Sequence, residues 1–277
     1  MREAEIRRAV ARPTENPGSY DLWLRALAVA RNLSAASVAE AFGLIEQALA
    51  LDPTFAAALA SASRIRYLMI LYGWSDDPDR QRREALELGA RSLRLGGDDA
   101  NVIANFALMT AYLEHDVDRA IDLVDRALAL NSGSSLTWAA SGAIRVLTPN
   151  VDLAVEHLDA SMRLDPTGPD RPTRLIFLAI ARFQQRRFAE AITTALELGQ
   201  HTDNPTAIAV LAAAYGHLGQ TDAARAALAR YRSMVPQPID VFGRAVWPLA
   251  DHQTLFLEGI ALAQGKRPSD GAAGAQR

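Results

Sequence analysis

Large apolar side chains recur down this chain at fixed offsets from a small residue, and each such segment ends at a turn signal. Ala41 is followed by Phe42, Ile45, Ala48, Leu49 and Leu51, then by Asp52-Pro53. Ala85 leads to Leu86, Gly89, Ser92, Leu93 and Leu95, then to Gly96-Gly97. Ala120 leads to Ile121, Val124, Ala127, Leu128 and Leu130, then to Asn131-Ser132. Ala154 leads to Val155, Leu158, Ser161, Met162 and Leu164, then to Asp165-Pro166. Offsets of 0, 1, 4, 7 and 8 fall on one face of a helix with 3.6 residues per turn. Each segment therefore predicts a helix with one buried face, and the pattern leaves almost no room for strands. Proline disfavours the α conformation in the residue before it, so positions 52–53 and 165–166 mark helix ends.

The marker alanines are Ala41, Ala85, Ala120, Ala154, Ala191 and Ala224, separated by 44, 35, 34, 37 and 33 residues. First-helix signals sit upstream of them, with Trp138 and Gly142 before Ala154. The fullest copy is Leu211-Ala212, Tyr215, Gly219, Ala224 and Pro236. This period and these residues resemble the tetratricopeptide repeat, a helix-turn-helix unit. The resemblance implies an all-α, right-handed α-solenoid of about six helix pairs over residues 19–236, with an extra helix at each end. A helix pair cannot bury its apolar face alone, so stacked neighbours share a core that runs along the array. The small marker lets two helices approach closely, and Ala154→Leu is expected to overpack that contact at a cost of roughly 1–3 kcal/mol, read from a melting curve.

The 44-residue step holds Tyr72-Gly73-Trp74-Ser75-Asp76-Asp77-Pro78. This predicts a loop, with Asp77 capping the next helix and Pro78 at its first position. Tyr72 and Trp74 either pack back on the adjacent helix or offer an aromatic contact to a partner. At the N-terminus, residues 1–12 predict a short charged helix with Glu3 and Arg7 one turn apart, and Pro13 to Gly18 a linker. The C-terminal region, 237–264, predicts a capping helix over 251–263 that packs through Leu255, Ile260 and Leu262. Residues 265–277 read as a disordered tail.

Composition narrows the function by exclusion. Hydrophobic residues make up 49% of the 277, with 17 glycines and 13 prolines, which is not a disordered composition. A net charge of −3 gives no electrostatic reason to bind nucleic acid. The arginines at 80, 82 and 83 and at 186 and 187 are mixed with acids and read as solvated faces. The absence of cysteine excludes disulfides, thiol catalysis and cysteine-bound zinc. The first residues carry no signal-peptide core and no apolar run spans a membrane, so the expectation is a soluble cytoplasmic protein.

The chemistry of known sites is absent too. Gly259, Gly265 and Lys266 lack phosphate-loop spacing, and Arg267 stands where a magnesium-binding hydroxyl belongs. No two of His115, His157, His201, His217 and His252 are four apart. Asp76, Asp77 and Asp79 lack the glycine and terminal glutamate of a calcium loop. The expectation is a non-enzyme without cofactor or metal.

What remains is a surface. Solenoids bind partners on an extended concave face, and in this architecture the first helix of each pair lines it. Aligned on the markers, the lining residues are Val102, Asn105, Met109 and Tyr112 in the third repeat. They are Leu136, Ala139, Ala143 and Val146 in the fourth, and Thr173, Ile176, Ile180 and Phe183 in the fifth. Asn105 and Tyr112 offer hydrogen bonds, and the fourth and fifth sets are apolar. An apolar patch of that size needs an occupant. Three fit: a protein or peptide partner, the chain's own C-terminal helix, or a second copy in a homo-oligomer. The aligned positions carry no lysine, so the capture of chaperone C-terminal carboxylates known for some tetratricopeptide proteins is not carried over.

A narrower resemblance spans nearly the whole chain. The segment from Ile6 to Pro53, with Pro13-Thr14-Glu15-Asn16 and Ser19-Tyr20-Asp21-Leu22-Trp23-Leu24-Arg25-Ala26, is similar to the start of a bacterial C-terminal region. That region, rich in tetratricopeptide repeats, occurs in adenylate/guanylate cyclase-like proteins and in winged-helix transcriptional regulators. Leu257-Glu258-Gly259-Ile260-Ala261-Leu262-Ala263-Gln264-Gly265 is similar to its ending. The resemblance implies a regulatory or partner-binding module of a signalling protein, with self-association of a longer protein as the alternative. No cyclase metal ligands or recognition helix can be placed upstream of Tyr20, so neither activity is carried over.

Overall fold

The computed structural model describes Thr14, residues 16–199 and residues 204–266. The charged helix expected over 1–12 and residues 267–277 of the expected tail lie outside the described residues. Among the described residues there are fourteen helices and no strand. In chain order they are α1 Pro17–Ala30, α2 Ala35–Leu51, α3 Ala56–Leu71, α4 Pro78–Leu95, α5 Ala100–Met109, α6 Val117–Leu130 and α7 Ser135–Arg145. There follow α8 Val151–Leu164, α9 Arg171–Gln184, α10 Phe188–Gly199, α11 Pro205–His217, α12 Thr221–Met234, α13 Ile239–Val246 and α14 Ala250–Ala263. In chain order the first twelve alternate, and we call them A and B helices, two to a repeat.

The chain divides into two compact units, Met1–Ile144 and Arg145–Arg277. Within the first, α3 packs on its own B helix α4 and on the next A helix α5, and α5 packs on α6. Within the second, α9 packs in the same way on α10 and α11, and α11 on α12. All six marker alanines lie on B helices and are 0% exposed. That is the helical face the spacing predicted, and it leaves no room for a larger side chain.

Local chemistry sets the helix ends. Asp77 accepts the amide of Arg80 as the N-cap of α4, with Pro78 in the first turn, as the loop reading expected. The rings of that loop are 4.8 Å apart; Tyr72 is buried and Trp74 half-buried, so both pack back onto the helices. At the start of α1, Asn16 accepts from Gly18 and Ser19, and Pro17 sits in the first turn. The helix thus takes in the end of the linker expected over 13–18.

Four of the six turns from A to B helix share one device. Gly73, Gly219, His115 and Arg186 all have a φ between 59° and 68°, the left-handed region that closes a helix C-terminus. After Gly73, Arg186 and Gly219 the next amide bonds back five residues, Trp74 to Met69, Arg187 to Arg182 and Gln220 to Tyr215. Two arginines then tie successive repeats together in the first unit. Arg91 donates to the Pro53 carbonyl at 2.6 Å, and Arg126 to the Gly97 carbonyl at 2.7 Å. Each stands six residues beyond its marker alanine and reaches back to the turn before its own repeat.

Two elements depart from the expected pattern. The helix α13 was not foreseen within the C-terminal region. The end of α5 widens into a π-helical turn, Thr110–Glu114, closed by the amide of His115 on the Thr110 carbonyl five residues back. A π turn takes up one extra residue without breaking the helix. It accounts for the 35-residue step between Ala85 and Ala120, one more than the repeat period.

Candidate functional site

Counting backwards from Ala120 through the π turn misplaces the face of α5 by one residue. Val102 and Met109 are each 2% exposed and point into the packing rather than out of it. The partly exposed strip is Asn101, Asn105 and Leu108, spaced as one helical face, with Leu108 also packing on the Ala85, Met109 and Leu113 cluster. Of the four residues expected to line the third repeat, Asn105 is partly exposed and the other three are buried. Tyr112, within the turn, is buried with its hydroxyl donating to the Ala143 carbonyl at 2.9 Å.

Side-chain hydrogen bonds hold this face. The Asn105 amide nitrogen donates to the Asn101 carbonyl at 2.9 Å, and the Ser134 hydroxyl donates to Oδ1 of Asn101 at 2.8 Å. On the neighbouring A helices, the Trp23 indole N–H donates to the Ser61 hydroxyl at 3.0 Å. The Tyr67 ring lies 5.5 Å from that of Tyr112. Burial pushes the hydroxyls of both tyrosines well above the ordinary phenol value, so both stay neutral donors at physiological pH. In the fourth repeat Leu136 is 42% exposed, whereas Ala139 and Ala143 are buried.

In the second unit the predicted face is mostly occupied. Val146, Ile180 and Phe183 are buried, while Thr173 and Ile176 remain half-exposed. Phe183 is the centre of a ring cluster, 5.4 Å from Phe188, 5.8 Å from His217, 6.1 Å from Trp247 and 6.3 Å from Phe256. The last two belong to the C-terminal region, so this part of the A-helix face is covered by the chain itself. Helix α14 runs against α11 with Gly259 opposite Gly216. His217 stacks flat on Phe188 at 4.4 Å and contacts the Leu255 carbonyl through Nε2 at 2.8 Å.

Gln184 joins α14 to α9. Its amide nitrogen donates to the Val146 carbonyl at 2.9 Å and to Nδ1 of His252 at 3.1 Å. Because both partners are acceptors, His252 must be neutral at Nδ1. Burial lowers its pKa below the ordinary 6.5, against an opposing pull from Asp251. A lowered folded-state value means the contact is fully present above about pH 6.5 and is lost as pH falls through the folded value. The expected result is a melting temperature that drops below pH 6.5 in the native chain and drops less in His252→Gln. A pH profile identical in the two chains contradicts this assignment.

Among the described residues no group of three or more His, Cys, Asp or Glu side chains is placed to hold a metal ion. No described helix is long and apolar enough to cross a membrane.

No protein-family model matches the chain, and no curated protein matches it. Solved structures do. The chain aligns over 88% of its length with Cut9, solved in the APC/C Cut9–Hcn1 hetero-tetramer, at a TM-score of 0.56 and 20% identity. It aligns over 87% with PilW, a type IV pilus biogenesis factor, at 0.52 and 17% identity. These likenesses show the fold alone, an all-α solenoid of the tetratricopeptide-repeat kind. Yeast Tom70 aligns over 91% of the chain at 0.50 and 17% identity. The chain spans 52% of the Cut9 chain, 99% of PilW and 54% of Tom70. The all-α hairpin-repeat class read from the marker spacing therefore stands.

Sequence reasoning missed Asn101, Leu108, Trp247 and Gly216 as residues that shape the face. The signal for the first two was the one-residue excess in the 35-residue step. The signal for Gly216 was a second glycine, Gly259, inside an otherwise apolar C-terminal helix.

Proposed function

We propose that this chain is a non-catalytic protein-recognition module that binds a protein or peptide on the outward face of its A helices. The supporting observation is the strip on α5, where Asn101 and Asn105 are held by backbone and hydroxyl partners and stand beside the apolar Leu108. Fixed amides next to an apolar side chain suit a peptide backbone that brings both hydrogen-bonding groups and apolar side chains. Cut9, which shares the fold, is found assembled with Hcn1. The regulatory and signalling parts of this reading rest on the resemblance of residues 6–53 and 257–265 to regions that accompany cyclase-like and winged-helix regulators.

The test is a photo-crosslinking amino acid placed singly at Asn105, Leu108, Glu87 or Asp122 in the native host. The same protein captured from the first two positions and not from the exposed B-helix positions 87 and 122 is the expected result. Capture from the B-helix positions alone contradicts it.

Self-association is the second reading. It is favoured by one repeated feature: the last residue of four B helices, Leu51, Leu95, Leu130 and Leu164, is an exposed leucine in each case. Light scattering across a wide concentration range separates the two, since a monomer at every concentration counts against assembly.

A further inference from the structure

Helix α14 sits against the sixth A helix in the way an external helix would. A Cβ built on Gly216 would lie 2.1 Å from the Gly259 carbonyl oxygen, and one built on Gly259 would lie 2.6 Å from the Ala213 carbonyl oxygen. The two backbones touch, which only small residues permit. Beside the crossing, Phe256 and Ile260 are buried. The cover is also imperfect in its polar groups. Oε1 of Gln184 and Nε1 of Trp247 are buried with no partner among the described residues, and such groups oppose closure. Neither α13 nor α14 has a side-chain N-cap; they follow Pro238 and Leu249. Good apolar packing with unmet polar groups is the balance of an element that a better-matched helix can replace.

We propose that α14 is an intramolecular occupant of the A-helix groove of the fifth and sixth repeats, in competition with an external partner. That partner is an amphipathic helix with glycine or alanine at the crossing and apolar side chains at the positions of Phe256 and Ile260. The proposal rests on reading A-helix faces as recognition surfaces, and it adds the kind of partner and the means by which access is controlled.

The probe is a fluorescein-labelled peptide of residues 250–264, titrated into the full chain and followed by anisotropy. Gly259→Ala in the chain loosens the resident helix and leaves α11 unaltered. That variant is expected to bind the peptide at least tenfold more tightly than the unaltered chain. Gly216→Ala loosens the same helix but blocks the groove, and is expected to show no gain. Equal binding by the Gly259→Ala and unaltered chains overturns the proposal. So does loss of the repeat helices in Gly259→Ala, because a helix that cannot leave without unfolding its neighbours is not exchangeable.

Hydrogen exchange on the unaltered chain gives a second reading. Amides of 250–263 are expected to exchange through an opening that leaves 205–217 protected; simultaneous exchange of both segments contradicts the proposal. Neither outcome bears on the α5 strip, whose crosslinking succeeds or fails separately.

Discussion

Phe183→Ala is expected to cost about 3–5 kcal/mol of stability in the second unit, the range for removing a fully buried phenylalanine. The ring is 0% exposed and has four aromatic or imidazole neighbours within 6.3 Å, two of them on the C-terminal region. Truncation leaves a cavity bounded by rings, and removes ring contacts, tilted to Phe188, His217 and Trp247 and edge-on to Phe256, of a kind typically worth about 0.5–1.5 kcal/mol beyond burial. Chemical denaturation followed by circular dichroism measures the loss. The alternative, in which Phe183 is a free contact for a partner, predicts a midpoint within experimental error of the unaltered chain. The two readings of this one residue thus differ by several kcal/mol.

Gly216→Ala is the second large effect. The added methyl carbon would lie 2.1 Å from one backbone oxygen and 3.1 Å from the Ala263 amide nitrogen, so no side-chain rotation relieves it. Only separation of α11 from α14 does. The expected cost is about 3 kcal/mol, the upper part of the range for overpacked cores. Gly43→Ala is the matched control. It is also a helical glycine, yet a Cβ there meets nothing within 4 Å. Relief of backbone entropy in α2 is expected to raise stability by about 0.5–1 kcal/mol. Opposite signs for the two substitutions are the prediction, and equal changes in the two melting temperatures would count against the crossing.

Much of this fold was legible because its information is local. A 3.6-residue period, a small residue where helices touch and a proline or glycine at each turn can all be read within one repeat. The marker alanines and the Asp77 cap were found in that way. The π turn was not legible, because an extra residue can be absorbed in any loop. It lies in α5 through long-range contacts, such as the Tyr112 hydroxyl on the Ala143 carbonyl. With that shift Val102 and Met109 are buried, and Asn101 and Leu108 are the partly exposed positions of α5.

Helix α13 escaped notice because eight residues have no second copy to align with, although Ile239, Phe242 and Val246 are spaced as a helical face and buried. The cover over Phe183 is a tertiary event between segments some seventy residues apart, and no local pattern reports it. Arg186 was read as a solvated charge. Its position after α9 matches Gly219 after α11, and there the backbone rather than the side chain carries its role.

The most direct test of the account is to change each marker alanine, Ala41, Ala85, Ala120, Ala154, Ala191 and Ala224, to leucine one at a time and measure thermal unfolding. Exposed alanines on the same helices, Ala50, Ala129 and Ala229, serve as controls. All six marker variants are predicted to lose roughly 1–3 kcal/mol, with the controls within about 0.5 kcal/mol of the unaltered chain. Marker variants that melt together with the controls would contradict the repeat register on which the fold and the recognition face both depend.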